Sequence, residues 1–280
     1  MMKNKEPTDQ LDAYLEKLVE EEKSEYTLKK YTKDLQLFFS YLKDSHIDKS
    51  VVIAYKEKLK TEYSVSSVNS MISAVNSYLR FIGRSDCCVK QLKLQRMVYC
   101  PESRELTKED YRALVSAASM KKKERLALMI ECICATGIRI GELRYITVDA
   151  VMSGEAQVYC KGKERKVFII SPLRAKLLDY LKKNRIETGP IFVTRGGKAV
   201  DRSNVWREMK GLCESAGISA EKIFPHNLRH LFAREFYALD KDIVKLADVL
   251  GHSSINTTRI YVVSSGREHR IYLESMKLIE

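Results

Sequence analysis

The chain has 280 residues, enough for two domains that each bury an apolar core. Its formal net charge of +12 favours a polyanionic partner such as nucleic acid, but it also fits a basic protein that binds none. No segment has the length and apolarity of a signal peptide or a membrane-spanning helix, so the sequence excludes an integral membrane protein and predicts a cytoplasmic one.

The cysteines give no sign of a disulfide framework or of a zinc site. There are seven, an odd number, and no two form a CxxC pair. This scatter predicts free thiols in a reducing compartment.

The first part of the chain, residues 1–97, has the apolar spacing of a bundle of short helices. The predicted helices are residues 11–19, a helix capped by Thr27, residues 49–60, and a helix that begins near Ser66 or Ser67.

The last two of these helices carry basic residues on their predicted exposed faces. They are Lys56, Lys58, Lys60, Arg80 and Arg84. A DNA-binding face and an ordinary solvated surface explain them equally well.

A linker is predicted over residues 98–106, where Pro101 stops the preceding element. The string Thr107-Lys108-Glu109-Asp110 has the pattern of a capping box and opens a second domain, residues 107–280. Helices are predicted there over residues 107–119, 122–136 (with Gly137 as the stop), 139–146, 172–183, 203–215, 226–238 and 240–249. Strands are predicted over residues 156–159 and 167–170, joined by a basic turn over 161–166, and over 191–193. The predicted fold is therefore mainly α, with a small antiparallel sheet in the second domain.

Two arginines suit the cleavage of a phosphodiester. Transesterification needs a nucleophile in line, stabilisation of charge on the non-bridging oxygens, and a proton for the leaving 5′ oxygen. Arginine meets the second need because its fork grips two phosphate oxygens and keeps its charge. Arg139 begins a helical turn that also holds Glu142, and Arg229 lies one turn after His226. A surface salt bridge is the alternative for each arginine.

His226 and His230 are also spaced like zinc ligands on a helix. A metalloprotease helix needs glutamate directly after the first histidine, and this chain has Asn227 there. No third ligand has a suitable spacing. The sequence therefore predicts neither a metal nor another cofactor.

Three further segments hold reactive side chains. They are Cys160-Lys161-Gly162-Lys163, Leu250-Gly251-His252 and Asn256-Thr257-Thr258-Arg259-Ile260-Tyr261. The pKa of a lysine falls readily beside other cations, which suits Lys161 to proton donation. Lys163 and Lys166 share the predicted turn, where a basic hairpin could instead simply contact phosphates.

Together with Ala135-Thr136-Gly137-Ile138-Arg139-Ile140-Gly141-Glu142-Leu143 and Pro225-His226-Asn227-Leu228-Arg229-His230, these segments resemble the signature of the tyrosine recombinases, also called the lambda-integrase family. The resemblance covers the second half of the chain in order and spacing. Residues 1–97 fit the SAM-like core-binding domain of the short, Xer- and Cre-like members more loosely.

The resemblance implies a site-specific recombinase that cleaves and rejoins DNA through a covalent 3′-phosphotyrosine, without ATP or metal. It implies Tyr261 as nucleophile, with Tyr272 as a rival that lacks the surrounding motif, and Lys161 as general acid. Arg139, Arg229 and His252 would stabilise the transition state, and His226 would assist proton transfer and phosphate positioning. Glu142 and His230 would support the site.

The resemblance also implies the partners: double-stranded DNA held between two basic domains, and a homotetramer on two recombination sites, alone or with a paralogous recombinase. The expected location is the nucleoid in a bacterial cytoplasm. A terminal helix over residues 266–280 would pack on its own domain or on a neighbouring protomer. A type IB topoisomerase and a non-catalytic DNA-binding regulator on the same fold are the alternatives. Integration, excision, inversion and dimer resolution are not separated.

Overall fold

The protein is described from a computed structural model, in which residues 10–43, 45–93, 104–160, 163–194, 196–260 and 273–276 are described. The chain divides into two compact units, residues 1–96 and 97–280. Both units are built mainly of helices, and the second holds a two-stranded antiparallel sheet, so the predicted fold class is confirmed. Within the described ranges, no helix has the length and apolarity to cross a membrane.

The first unit is a bundle of α1 (Leu11–Glu20), α2 (Glu25–Leu42), α3 (Lys49–Glu62) and α4 (Val65–Phe81). Serines cap two of these helices: Ser24 Oγ accepts from the backbone N–H of Thr27, and Ser64 Oγ from that of Ser67. The predicted cap at Thr27 is therefore wrong, because this residue donates to the cap. The predicted start of α4 is late by one or two residues for the same reason.

Aromatic side chains fill the core of the first unit. Tyr14 meets Tyr78 edge to face with ring centroids 5.3 Å apart, and Phe38 lies 5.1 Å from Tyr55. All four side chains are buried. Rings of this size supply much of the apolar area that a unit of this length can bury.

Two asparagines on one face of α4 hold the chain that leaves the first unit. Asn76 exchanges two hydrogen bonds with the backbone of Val89, and Asn69 exchanges two with the backbone of Leu92. The asparagines are seven residues apart, about two helical turns, so they present the same face to an extended segment. Residues 89–92 are thereby fixed along α4.

The second unit begins by holding the other end of the predicted linker. Leu106 is buried, its backbone oxygen accepts from Arg234, and the backbone oxygen of Arg104 accepts from Asn227. Residues 104–106 thus belong to the packing of the second unit. Residues 98–103, the rest of the predicted linker, lie outside the described ranges.

Two helices then lead to the candidate site. The capping box that opens α5 (Lys108–Met120) is confirmed, since Thr107 and Asp110 each accept from the other's backbone N–H at 3.1 Å. The next helix, α6 (Glu124–Thr136), ends at Gly137 as predicted. A 3-10 helix (Ile140–Tyr145) and α7 (Val148–Ser153) follow.

The sheet is a hairpin of β1 (Glu155–Cys160) and β2 (Lys163–Phe168), paired from Glu155 with Phe168 to Cys160 with Lys163. The predicted basic turn over residues 161–166 is wrong in extent, because residues 163–166 pair with β1. The strand predicted over 191–193 is also wrong: Ile191 and Phe192 are buried for packing, and Val193 forms only an isolated bridge.

The remaining helices are α8 (Ser171–Asn184), α9 (Arg202–Lys210), α10 (Cys213–Ala216), α11 (Pro225–Asp240), α12 (Ile243–Leu250) and α13 (Ile255–Arg259). The single helix predicted over 203–215 is interrupted between α9 and α10. Leu228 and Leu231 of α11 share one buried cluster with α6, and Cys134 near the end of α6 donates to the backbone oxygen of Leu228 at 3.6 Å. The predicted terminal helix lies mostly outside the described residues, of which 273–276 are its only part.

Candidate active site

The turn after α6 is the point around which the site is built. Gly137 has φ +64°, and a Cβ there would lie 2.4 Å from Cδ1 of Phe232 on α11. A side chain is therefore excluded both by backbone conformation and by the close approach of α11. The backbone oxygen of Gly137 accepts a hydrogen bond from the Arg229 guanidinium.

Arg229 joins three segments of the second unit. Its side chain is buried, with 1% of the residue exposed. Besides Gly137, Nη2 donates to the backbone oxygen of Leu250 at 2.7 Å and to Nε2 of His252 at 3.0 Å. One guanidinium thus ties α11 to the end of α6 and to the turn after α12.

The contacts of His252 define its protonation state in this structure. A guanidinium only donates hydrogen bonds, so Nε2, which faces Arg229, must accept. Nδ1 then carries the proton and donates to Oγ1 of the buried Thr258 at 2.8 Å. His252 is therefore a neutral imidazole, oriented from both sides.

The same protonation state follows from the charges around His252. Burial and the positive charges of Arg229, Arg139 and Arg165, with a smaller effect of His226, lower the pKa of His252 to about 4. Both effects disfavour the imidazolium.

Arg139 is held by Glu142 in a compact turn. Oε1 of Glu142 accepts from Nη1 of Arg139 at 2.9 Å, and Oε2 accepts from its backbone N–H at 2.8 Å. The Glu142 carboxylate is buried, whereas a third of the Arg139 side chain is exposed. Glu142 is therefore a buried partner of Arg139 and not an exposed surface glutamate.

Sequence reasoning missed Arg165, which reaches the same carboxylate from the hairpin. Its Nη2 donates to Oε2 of Glu142 at 2.7 Å, and its side chain is 12% exposed. A Cβ on Gly251 would lie 2.5 Å from Cδ of Arg165, so the arginine stem packs against the turn that carries His252. The two-residue alternation of a strand, which places Arg165 on the same side as the buried Val167, was the available signal.

His226 and His230 lie on the first turns of α11, with ring centroids 5.1 Å apart and edge to face. The His226 residue is exposed, yet loss of water around the ring lowers its pKa, and Arg229, Arg202 and Arg139 lower it further. Burial, then His226 and Arg234, lower the pKa of His230 to about 3. Among the described residues no group of three or more potential ligands could hold a metal with them.

Two predicted catalytic residues, Lys161 and Tyr261, lie outside the described residues, as does the rival Tyr272. The residue directly before Lys161 and the one directly before Tyr261 are described. Lys161 follows β1, and Tyr261 comes three residues after Thr258, which contacts His252. The two strands that flank residues 161–162, and the helix that precedes Tyr261, thus have contacts with the arginines or with His252, while the positions of the two side chains remain predictions.

Most of the basic residues predicted to contact DNA also have contacts inside the protein. These are Lys56 with the backbone oxygen of Lys90, Lys58 with the ring of Tyr41, Lys60 with Glu57, Arg84 with Asp86, and Lys166 with Glu155. Arg80 is exposed in the last turn of α4, and the side chain of Lys163 lies outside the described part of the chain.

Two family models match the chain. The phage integrase family matches residues 104–267, more than half of the chain, and the phage integrase N-terminal SAM-like domain matches residues 11–85. The two matches fall in the two structural units.

Curated relatives match nearly the full length. Tyrosine recombinase XerA of Pyrococcus furiosus is 27% identical over 93% of this chain and 91% of its own. Tyrosine recombinase XerD of Caulobacter vibrioides is 30% identical over 95% of each.

Solved structures share the fold. Lambda integrase (residues 75–356), crystallised as a dimer bound to a COC′ core site, matches with a TM-score of 0.74 and 22% identity over 93% of this chain and 96% of that chain. A lambda integrase tetramer bound to a Holliday junction matches with a TM-score of 0.71 and 20% identity over 91% and 76%.

Proposed function

The chain belongs to the phage integrase family and is a tyrosine recombinase, which cleaves and rejoins DNA at specific sites; we propose how its residues share that reaction. The Tyr261 hydroxyl gives up its proton to solvent, with the assistance of His226, and its oxygen attacks the scissile phosphorus. A bond forms between this oxygen and the 3′ phosphate, and the bond from phosphorus to the 5′ oxygen breaks. Lys161 gives the leaving 5′ oxygen its proton. Rejoining is the reverse, with a 5′ hydroxyl as the nucleophile.

The charge of the site carries this proposal. Among the described residues three guanidinium groups, those of Arg139, Arg165 and Arg229, share the site with one carboxylate, that of Glu142. The excess positive charge is suited to bind one phosphate and to stabilise the charge that develops on its non-bridging oxygens. The partly exposed Arg139 side chain and the exposed His226 offer the first contacts.

His252 changes its role when a phosphate binds. Without DNA its Nε2 accepts from Arg229, so it cannot donate to a phosphate oxygen. A phosphate anion offsets the field of the arginines and so raises the pKa of His252. The imidazolium then has an Nε2–H to donate to the transition state, while Thr258 still holds Nδ1.

DNA binding extends over both units in this proposal. Lys56, Lys58, Lys60, Arg80 and Arg84 of the first unit, and Lys163 and Lys166 of β2, contact DNA phosphates without reading sequence. The contacts of these residues inside the protein are mostly exposed ion pairs, which are weak and exchange readily for phosphate contacts.

The active assembly is proposed to be a homotetramer on two recombination sites, alone or with a paralogous recombinase, at the nucleoid. Lambda integrase, which has the same fold, forms a tetramer on a Holliday junction. Strand exchange between two duplexes needs four cleavages, and one tyrosine per protomer supplies four.

The test uses a DNA site selected from a random library by binding to the Tyr261→Phe variant, here called the selected site. A supercoiled plasmid with two copies of this site is incubated with the wild type, Tyr261→Phe and Tyr272→Phe. Recombinant circles from the wild type and Tyr272→Phe, but none from Tyr261→Phe, are expected. Relaxation without recombination indicates topoisomerase chemistry, and binding without either product indicates a regulator. Either result contradicts the proposal.

A further inference from the structure

Arg165 contacts three parts of the second unit at once. It lies in the middle of β2, opposite Val158 of β1. Its guanidinium binds Glu142 in the turn of Arg139, and its stem packs on Gly251, directly before His252. Among the described side chains of the hairpin, that of Arg165 alone contacts the Glu142 carboxylate.

The pair of Arg165 and Glu142 is an enclosed one. The two side chains are 12% and 4% exposed. Removal of one partner from such a pair leaves a buried charge uncompensated, so the pair is held firmly. Because Glu142 also binds Arg139 through two atoms, the position of β2 is coupled to that of Arg139.

A two-stranded hairpin has little rigidity by itself. In sequence, Lys161 directly follows β1 and is four residues before Arg165. A side chain that fastens the middle of the hairpin, two residues from the start of β2, therefore affects where the two strand ends at residues 160 and 163 lie. Lys166, next to Arg165, points the other way and pairs with Glu155 on the neighbouring strand.

We propose that Arg165 is a positioning residue that fastens the hairpin to Glu142 and so places Lys161 at the leaving 5′ oxygen. This rests on the proposed role of Lys161 as general acid. In the alternative, Arg165 acts on the phosphate through its own charge or through Arg139. The two differ in the step that suffers when Arg165 is replaced: proton donation to the leaving group, or stabilisation of phosphate charge.

The experiment compares cleavage of two nicked duplexes with the selected site, one with the natural 5′ oxygen at the scissile phosphate and one with a bridging 5′ sulfur. A thiolate leaves without a proton, so the sulfur substrate needs no general acid. Arg165→Met keeps much of the stem that packs on Gly251 and removes the guanidinium. The controls are Lys161→Ala and Glu164→Gln, the latter on the same strand but bonded to the exposed Tyr159 hydroxyl.

Arg165→Met is expected to cleave the oxygen substrate about 10–100-fold more slowly than the wild type, as for a misplacement of about 1 Å, and the sulfur substrate within a few-fold of it. Glu164→Gln should keep the wild-type ratio of the two rates. Equal losses on both substrates, or no loss on the oxygen substrate, overturn the proposal. If the wild type cleaves neither substrate, the proposed function itself is refuted. If the sulfur substrate does not restore cleavage by Lys161→Ala, both the role of Lys161 as general acid and the role of Arg165 are refuted.

Hydrogen exchange gives a second readout that needs no activity. In Arg165→Met the amides of β1 and β2 should exchange faster than in the wild type, while those of α8 exchange at the wild-type rate. Unchanged exchange in the hairpin overturns the proposal. Faster exchange throughout the second unit would show a general loss of stability and not a loosened hairpin, and it would also count against the proposal.

Discussion

Replacing Gly137 by alanine is expected to destabilise the second unit by about 2–5 kcal/mol. An L-residue in the left-handed conformation costs about 1–2 kcal/mol, and Gly137 has φ +64°. The new Cβ would also lie 2.4 and 2.6 Å from two carbons of the Phe232 ring. Overpacking of this kind typically costs about 1–3 kcal/mol, because the ring and its helix must shift.

Gly217→Ala is the matched control, since Gly217 has φ +66° but nothing within 4 Å of an added Cβ. The free energy of unfolding of Gly217→Ala should fall only by the cost of the left-handed backbone conformation, about 1–2 kcal/mol. Urea unfolding followed by the fluorescence of Trp206, the chain's one tryptophan, reports on the second unit. Equal losses in the two variants would refute the argument that Phe232 closes the space beside Gly137. A larger loss in Gly137→Ala should be accompanied by slower DNA cleavage, because the Gly137 oxygen holds Arg229.

Three further outcomes are expected. Folding lowers the pKa values of His252 and His230 to about 4 and about 3, so below pH 6.5 the unfolded chain binds more protons than the folded one. The free energy of unfolding should therefore fall as pH drops from 6.5 towards 4, and less steeply in His230→Gln. A urea midpoint that rises over this pH range would contradict the prediction. Thr258→Val removes the hydroxyl that accepts from the Nδ1–H of His252, so it should lower the free energy of unfolding in urea by about 1–3 kcal/mol. Replacing the exposed Thr257 by valine should lower it less, and equal losses in the two variants would count against the assigned tautomer. Arg80→Ala should reduce the slope of log affinity against log salt by about 0.9, as for one lost phosphate contact; an unchanged slope shows that Arg80 does not contact DNA.

The fold was predictable where local chemistry decides it. The capping box at Thr107, the helix stop at Gly137 and the hairpin all follow from short-range patterns, and the structure has them. The strand predicted over 191–193 failed because a short apolar run is equally suited to a buried segment without a partner strand. The cap predicted at Thr27 failed because Ser24, three residues earlier, caps the helix by accepting from the backbone N–H of Thr27.

The site was predictable as a set of residues but not as a set of contacts. The strings around Arg139, Arg229 and His252 indicated which side chains matter. Arg229 is buried and donates to backbone oxygens 92 and 21 residues away in sequence. These contacts depend on how α6, α11 and α12 pack, which the local sequence does not encode. The sequence did not single out Arg165, because residues 161–166 have the composition of a basic turn, and the alternation of inward and outward side chains applies only to a strand.

The most direct test of the account is to identify the residue that becomes joined to DNA. Wild-type protein is trapped on a nicked duplex with the selected site, the complex is digested, and the nucleotide-bearing peptide is sequenced by mass spectrometry. The account predicts a 3′-phosphate ester on Tyr261, absent from Arg229→Lys, which keeps a positive charge but loses the guanidinium fork that binds Gly137, Leu250 and His252. An ester on Tyr272 or on any other side chain would contradict it.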